Sequence, residues 1–92
     1  MSGEAEKTER AYVYMVRCAG GQLYTGWTNA PEARLKAHQS GKGAKYTRTH
    51  TALGFAYLEA CADKSAALRR EIAVKKLSRQ EKLSLIGEGA SL

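Results

Sequence analysis

The sequence predicts an α/β or α+β sandwich with a small sheet, its elements running strand, strand, helix, strand, helix, helix. Three observations carry this. A Tyr- and Val-rich run, Ala11 to Ala19, is parted from a second short run, Leu23 to Thr28, by Gly20-Gly21. An aromatic run, Gly54 to Cys61, then lies between two segments with helix-start signals. Finally, 92 residues hold one domain and one modest core.

The first run alternates Tyr12, Tyr14 and Val16 with Val13 and Met15. Both faces are therefore mostly apolar, which suits a central strand. Gly20-Gly21 is a hairpin signal, because glycine reaches positive φ without steric cost, so the sheet starts antiparallel. Thr28-Asn29 with Pro31 and Glu32 reads as a helix start. Asn29 is the expected cap, proline tolerates the first turn, and the glutamate favours the positive end of the dipole. This helix reaches about Ser40, and Gly41 and Gly43 stop it. Positions 31, 34, 35 and 38 share one face, which stacks Arg34 and His38 beside Leu35. Gly41 to Leu53 is a polar, basic connection, and Gly54 to Cys61 the third strand. Asp63 caps a helix from Lys64 to Leu77, whose apolar stripe is Leu68, Ile72 and Leu77 with Ala67 and Ala73, and Glu71 stands at its edge. Ser78-x-x-Glu81 is a capping box opening a last helix to about Ile86. The expected organisation is a leader over 1–10, one domain over 11–87 and a tail over 88–92.

Apolar residues are 43% and charged residues 26%, a globular mix. No apolar run reaches 18 residues and no apolar segment follows the N-terminus, so neither a membrane span nor a secretory signal is expected. Cys18 and Cys61 form no C-x-x-C pair. A reduced, soluble, cytoplasmic protein is the expectation.

Charge is uneven. Overall 15 Lys and Arg face 9 Asp and Glu, a net of +6, yet residues 1–10 carry a net of −1. Arg34, Lys36, Lys42, Lys45 and Arg48 fall between Ala33 and His50 with no acid among them. Arg69, Arg70, Lys75, Lys76, Arg79 and Lys82 form a second run broken by Glu71 and Glu81. Concentrated positive charge is the footprint of a polyanion binder, and nucleic acid, DNA first, is the expected partner.

Singly, the polar residues of this pattern have bland readings: tyrosines pack in strands, Arg34 snorkels, His38 is a satisfied histidine, and Glu71 pairs with Arg70, Lys75 or Arg34. Together, Tyr14, Tyr24, Arg34, His38 and Glu71 in a basic chain match what phosphodiester hydrolysis needs. A water must lose a proton, and charge on phosphorus and on the leaving oxygen must be offset. Mg²⁺ keeps most of its waters, so one carboxylate suffices when substrate phosphate supplies the rest.

The pattern resembles a GIY-YIG nuclease domain of the small stand-alone bacterial branch, the YhbQ-like proteins. Tyr12-Val13-Tyr14 and Tyr24-Thr25-Gly26 are the paired motifs, Arg34 follows ten positions after Tyr24 with His38 behind it, and Glu71 lies in Ala67–Lys76. The loop Gly41–Arg48 and the stretch Lys75–Arg79 resemble the same branch, and the match covers about 11–86. The resemblance implies an α+β fold with a three-stranded antiparallel sheet flanked by helices. It implies that Tyr14 and Tyr24 line the site, one of them the general base, that Arg34 holds the scissile phosphate, and that His38 assists a tyrosine or contacts phosphate. Glu71 would ligate one Mg²⁺ or Mn²⁺. Nucleic-acid contact is expected from Lys42, Lys45, Tyr46, Arg48 and Lys75. Two positions depart from the family pattern: Trp27 stands where many members have Lys, and Gln80 is the nearest substitute for an Asn or Gln beyond the metal-binding glutamate. The expected activity is a metal-dependent endonuclease acting on DNA in repair or processing. The alternatives are a binding module with little cleavage and an adaptor to a larger nuclease complex.

Overall fold

The computed structural model describes residues 10–43 and 50–88, without the side chain of Glu88. The leader over 1–9, the loop positions Lys45, Tyr46 and Arg48, and the residues from 89 lie outside this set. Six elements follow in the expected order: β1 (Ala11–Cys18), β2 (Leu23–Thr28), α1 (Pro31–Gln39), β3 (Ala52–Cys61), α2 (Lys64–Lys75) and α3 (Arg79–Glu88). The fold is α+β, a three-stranded antiparallel sheet of order β2-β1-β3 flanked by three helices.

β1 is the central strand because it is apolar on both faces, and each face builds a separate half-core. Val13 and Met15 pack with Tyr57, Ala67 and Val74 under α2. Tyr14, Val16 and Cys18 pack on the other face with Ala52, Leu35, Phe55 and Leu58, beside α1. Val13, Met15, Val16 and Val74 are fully buried, worth about 1.5–3 kcal/mol each. The β1–β2 register sets Tyr14 opposite Gly26 and Val16 opposite Tyr24, so both tyrosines stand on the α1 face. Gly21 closes the hairpin at φ 91°, a left-handed conformation that a side chain would strain.

Asp63 caps α2 as expected, its carboxylate accepting from the Ala66 N–H at 2.8 Å. The capping box at α3 also closes: the Ser78 N–H donates to Glu81 Oε1 at 2.8 Å and the Glu81 N–H to Ser78 Oγ at 3.1 Å. Four expectations are corrected. The N-cap of α1 is Ala30 rather than Asn29, and its N–H is satisfied by Thr28 Oγ1 at 3.0 Å. β3 begins at Ala52, because Ala52 pairs with Cys18 of β1 across an irregularity at Leu53 instead of extending the loop. α3 extends to Glu88, two residues past the expected end at about Ile86. The apolar stripe of α2 is displaced: Ile72 is 55% exposed and Leu68 37%, while Ala67 and Val74 are buried. At a spacing of four and then three residues, the inward row is Ala67, Glu71, Val74, so a carboxylate takes a place that periodicity gave to Leu68 and Ile72.

A polar tie joins α2 to β3. The Tyr57 hydroxyl donates to Glu59 Oε1 at 2.6 Å, and Arg70 Nε donates to the same oxygen at 3.0 Å. Burial and this bond to Glu59 push the Tyr57 hydroxyl pKa up. The tie fixes the rotation of α2 one residue before Glu71.

Candidate active site

Tyr14 is the centre of the site, fully buried in the middle of the central strand. Its hydroxyl extends over β2 at Gly26, where an added Cβ would lie 2.5 Å from it. Glycine within a strand often marks a close approach, and at Gly26 the approaching group is this hydroxyl. Since β2 is an edge strand, the Tyr14 hydroxyl reaches from the central strand to the edge strand of the sheet.

His38 meets Tyr14 from α1. Its Nε2 is 2.8 Å from the Tyr14 hydroxyl, and the side chain is buried. The imidazole sits between the two tyrosines, with ring centroids 5.7 Å from Tyr14 and 5.3 Å from Tyr24. A Cβ added at Gly43 would collide with the imidazole at Nδ1, so the backbone after α1 closes against that side of the ring. Burial first and the Arg34 charge second lower the His38 pKa from its ordinary 6.5, which keeps the ring neutral at physiological pH.

Arg34 lies one turn before His38 on the same inward face. Its Nε is buried with no acceptor among the described residues. A buried guanidinium donor without a partner costs free energy that an anion would recover. Burial raises the Tyr14 pKa, the hydrogen bonding and charge of Arg34 act against that rise, and the charges of Tyr24 and Glu71 add to it. Burial dominates, so no standing tyrosinate exists at neutral pH.

Glu71 comes from the other side of the sheet. α2 packs across β1 and β2 on the face opposite α1, yet the charge of Glu71 acts on the Tyr14 hydroxyl. Tyr14, Tyr24, His38 and Arg34 thus gather between the hairpin strands and α1, and Glu71 is carried by the helix on the opposite face. The Glu71 side chain is 16% exposed and its carboxylate pairs with Lys75 Nζ at 3.2 Å, one turn on. Lys75, expected to contact nucleic acid, is thus the counter-ion of Glu71. Lys42 is exposed just beyond α1.

Among the described residues no three His, Cys, Asp or Glu side chains gather into a metal cluster. A single inward carboxylate already facing a cation nevertheless fits Mg²⁺ or Mn²⁺, hard ions that retain water. It does not fit a closed zinc site of three or four His and Cys ligands. Trp27 pairs with Val13 on the α2 face, with Lys64 Nζ 5.5 Å from its ring centroid. Gln80 is exposed at the start of α3, lining a groove with Arg70 and Leu77. Neither adds a group to the cluster around Tyr14. Sequence reasoning missed the approach of Gly43 to His38, whereas the Glu71–Lys75 pair was among the pairings expected for Glu71.

The model of the GIY-YIG catalytic domain matches residues 10–84. The chain belongs to the GIY-YIG family. Within that family it is similar to small UPF0213 proteins: 49% identical over 77 residues to one of Staphylococcus haemolyticus, spanning 84% of this chain and 94% of that one. It is 48% identical over 79 residues to another of Streptococcus sanguinis, spanning 86% and 91%. The solution NMR structure of a UPF0213 protein of Bacillus halodurans matches with a TM-score of 0.57 and 41% identity, over 89% of this chain and 88% of that one. The GIY-YIG assignment gives the chain a nuclease-type fold, and the paired tyrosine motifs are the hairpin strands β1 and β2. No helix among the described residues is long and apolar enough to cross a membrane.

Proposed function

We propose that this GIY-YIG protein is a divalent-metal-dependent endonuclease that hydrolyses phosphodiester bonds in DNA, in repair or processing, with Tyr14 and His38 as its proton-transfer pair. The 2.8 Å bond between the Tyr14 hydroxyl and His38 Nε2 carries this reading and supports Tyr14 as the base. A phenol with a raised pKa is a poor base alone. With the imidazole proton on Nδ1, the neutral Nε2 accepts the Tyr14 proton as the hydroxyl takes one from the attacking water. The relay thus needs no free tyrosinate. Arg34 would hold the scissile phosphate, its orphaned Nε supplying a donor to a phosphate oxygen. Tyr24, half-buried beside His38, would keep the imidazole in place and border the substrate. Glu71 would hold the ion, exchanging Lys75 for it, and the chemistry supplied by a hydrated Mg²⁺ or Mn²⁺ would be the offset of charge on the leaving oxygen. Lys42, Lys45, Tyr46, Arg48 and Lys75 would contact the flanking backbone.

The test is nicking of supercoiled DNA at low salt with Mg²⁺ or Mn²⁺, comparing the native chain with Arg34→Ala and Glu71→Ala. Metal-dependent nicking lost in both variants is expected; nicking that persists equally in both contradicts the proposal.

A further inference from the structure

The sheet face that carries Tyr14 continues past the cluster. Tyr12 lies on it two residues back along β1, about 7 Å away. There an open groove of about 650 Å³ runs between α1 and β3, lined by Tyr12, Pro31, Leu35, Phe55 and Leu58 with Glu32 on the first turn of α1. Three features define what it accepts. Two aromatic rings and three aliphatic side chains suit a planar apolar body. The charged lining residue is an acid, in a chain of net charge +6, so the groove does not track phosphate. And Leu35 in the groove directly follows Arg34, whose Nε is buried with no acceptor among the described residues.

From this juxtaposition we infer that the groove binds a nucleobase of the strand whose phosphate Arg34 holds, with Tyr12 and Phe55 against the base and Glu32 accepting from an amino group on its edge. The inference rests on the proposed role of Arg34 for the placement of the phosphate. Base–aromatic packing tolerates any sequence, whereas a carboxylate acceptor favours bases with an amino donor, such as cytosine, over thymine. The site therefore reads one nucleotide beside the scissile phosphate.

The test is titration of the ¹⁵N-labelled full chain, free of metal, with deoxycytidine monophosphate, thymidine monophosphate and deoxyribose 5-phosphate, following amide shifts. Both nucleotides should shift Tyr12, Leu35, Phe55 and Leu58, the cytosine form binding about threefold or more tighter, as expected for one added hydrogen bond. The sugar phosphate should move residues near Arg34 and His38 alone. Ala33→Trp, at an exposed position on the groove wall, should abolish the groove shifts and leave those near Arg34. Glu32→Gln should erase the preference for cytosine. Identical shifts from the nucleotides and the sugar phosphate, or groove shifts that survive Ala33→Trp, overturn the inference. Because the readout uses neither metal nor cleavage, Arg34-dependent nicking by a chain with a silent groove would sink the base site and leave the nuclease reading standing.

Discussion

The Tyr14 hydroxyl passes directly over Gly26 on the neighbouring strand, at a distance that leaves no room for a Cβ. This relationship explains the glycine of the second motif without any appeal to positive φ, since Gly26 is not among the positive-φ glycines. Gly26→Ala should therefore cost about 1–3 kcal/mol through overpacking. For a domain of this size each kcal/mol lowers the melting temperature by roughly 4–8 °C. Adding Tyr14→Phe to the same chain should recover part of the loss, because the closest contact is the hydroxyl oxygen. An unchanged melting temperature for Gly26→Ala would show that the hydroxyl does not occupy this position.

His38 predicts a pH dependence of stability. Its folded pKa lies below the ordinary 6.5, so the fold favours the neutral ring. As pH falls below about 6.5 the unfolded chain takes up a proton that the folded chain refuses. Stability should decline from there down to the lowered pKa and then level off. His38→Gln should remove that decline, while lowering stability at neutral pH by about 1–3 kcal/mol if the Tyr14 hydroxyl loses its acceptor. Urea unfolding across this range checks both effects; parallel curves for the two chains would contradict them.

Lys75 predicts competition at the carboxylate. A pair four residues apart on a helix, with its lysine exposed, is worth about 0.3–0.5 kcal/mol, so Lys75→Ala should tighten Mn²⁺ binding about twofold. The same change should weaken DNA binding by removing a cation. Calorimetric titration of Mn²⁺ and a DNA-binding titration read the two effects separately. Weaker Mn²⁺ binding in Lys75→Ala would mean that Lys75 organises Glu71 instead of occupying it.

Much of the fold and most of the described cluster were legible in the sequence, for identifiable reasons. β1 reads as central because Tyr12 to Val16 is apolar on both faces, and the double glycine fixes the hairpin that brings Tyr24 near Tyr14. Arg34 and His38 are one turn apart, which helix geometry alone puts on one face. α2 was misread because hydrophobic periodicity assumes that apolar residues face inward. Here Glu71 takes an inward position, and Leu68 and Ile72 are turned outward in consequence. The Asn29 cap failed because Thr28, one residue earlier, supplied the acceptor. The contacts of Gly26 with Tyr14 and of Gly43 with His38 depend on strand register and on where the chain returns after α1, and neither is encoded in local pattern.

The account turns on the proton path through Tyr14. Its most direct test is the single-turnover cleavage rate at saturating DNA and Mg²⁺ for Tyr14→Phe, with Tyr24→Phe measured in parallel. A loss of about 10²-fold or more in Tyr14→Phe, with DNA affinity retained and a smaller loss in Tyr24→Phe, is the predicted result. A Tyr14→Phe chain that cleaves at the native rate would contradict the account.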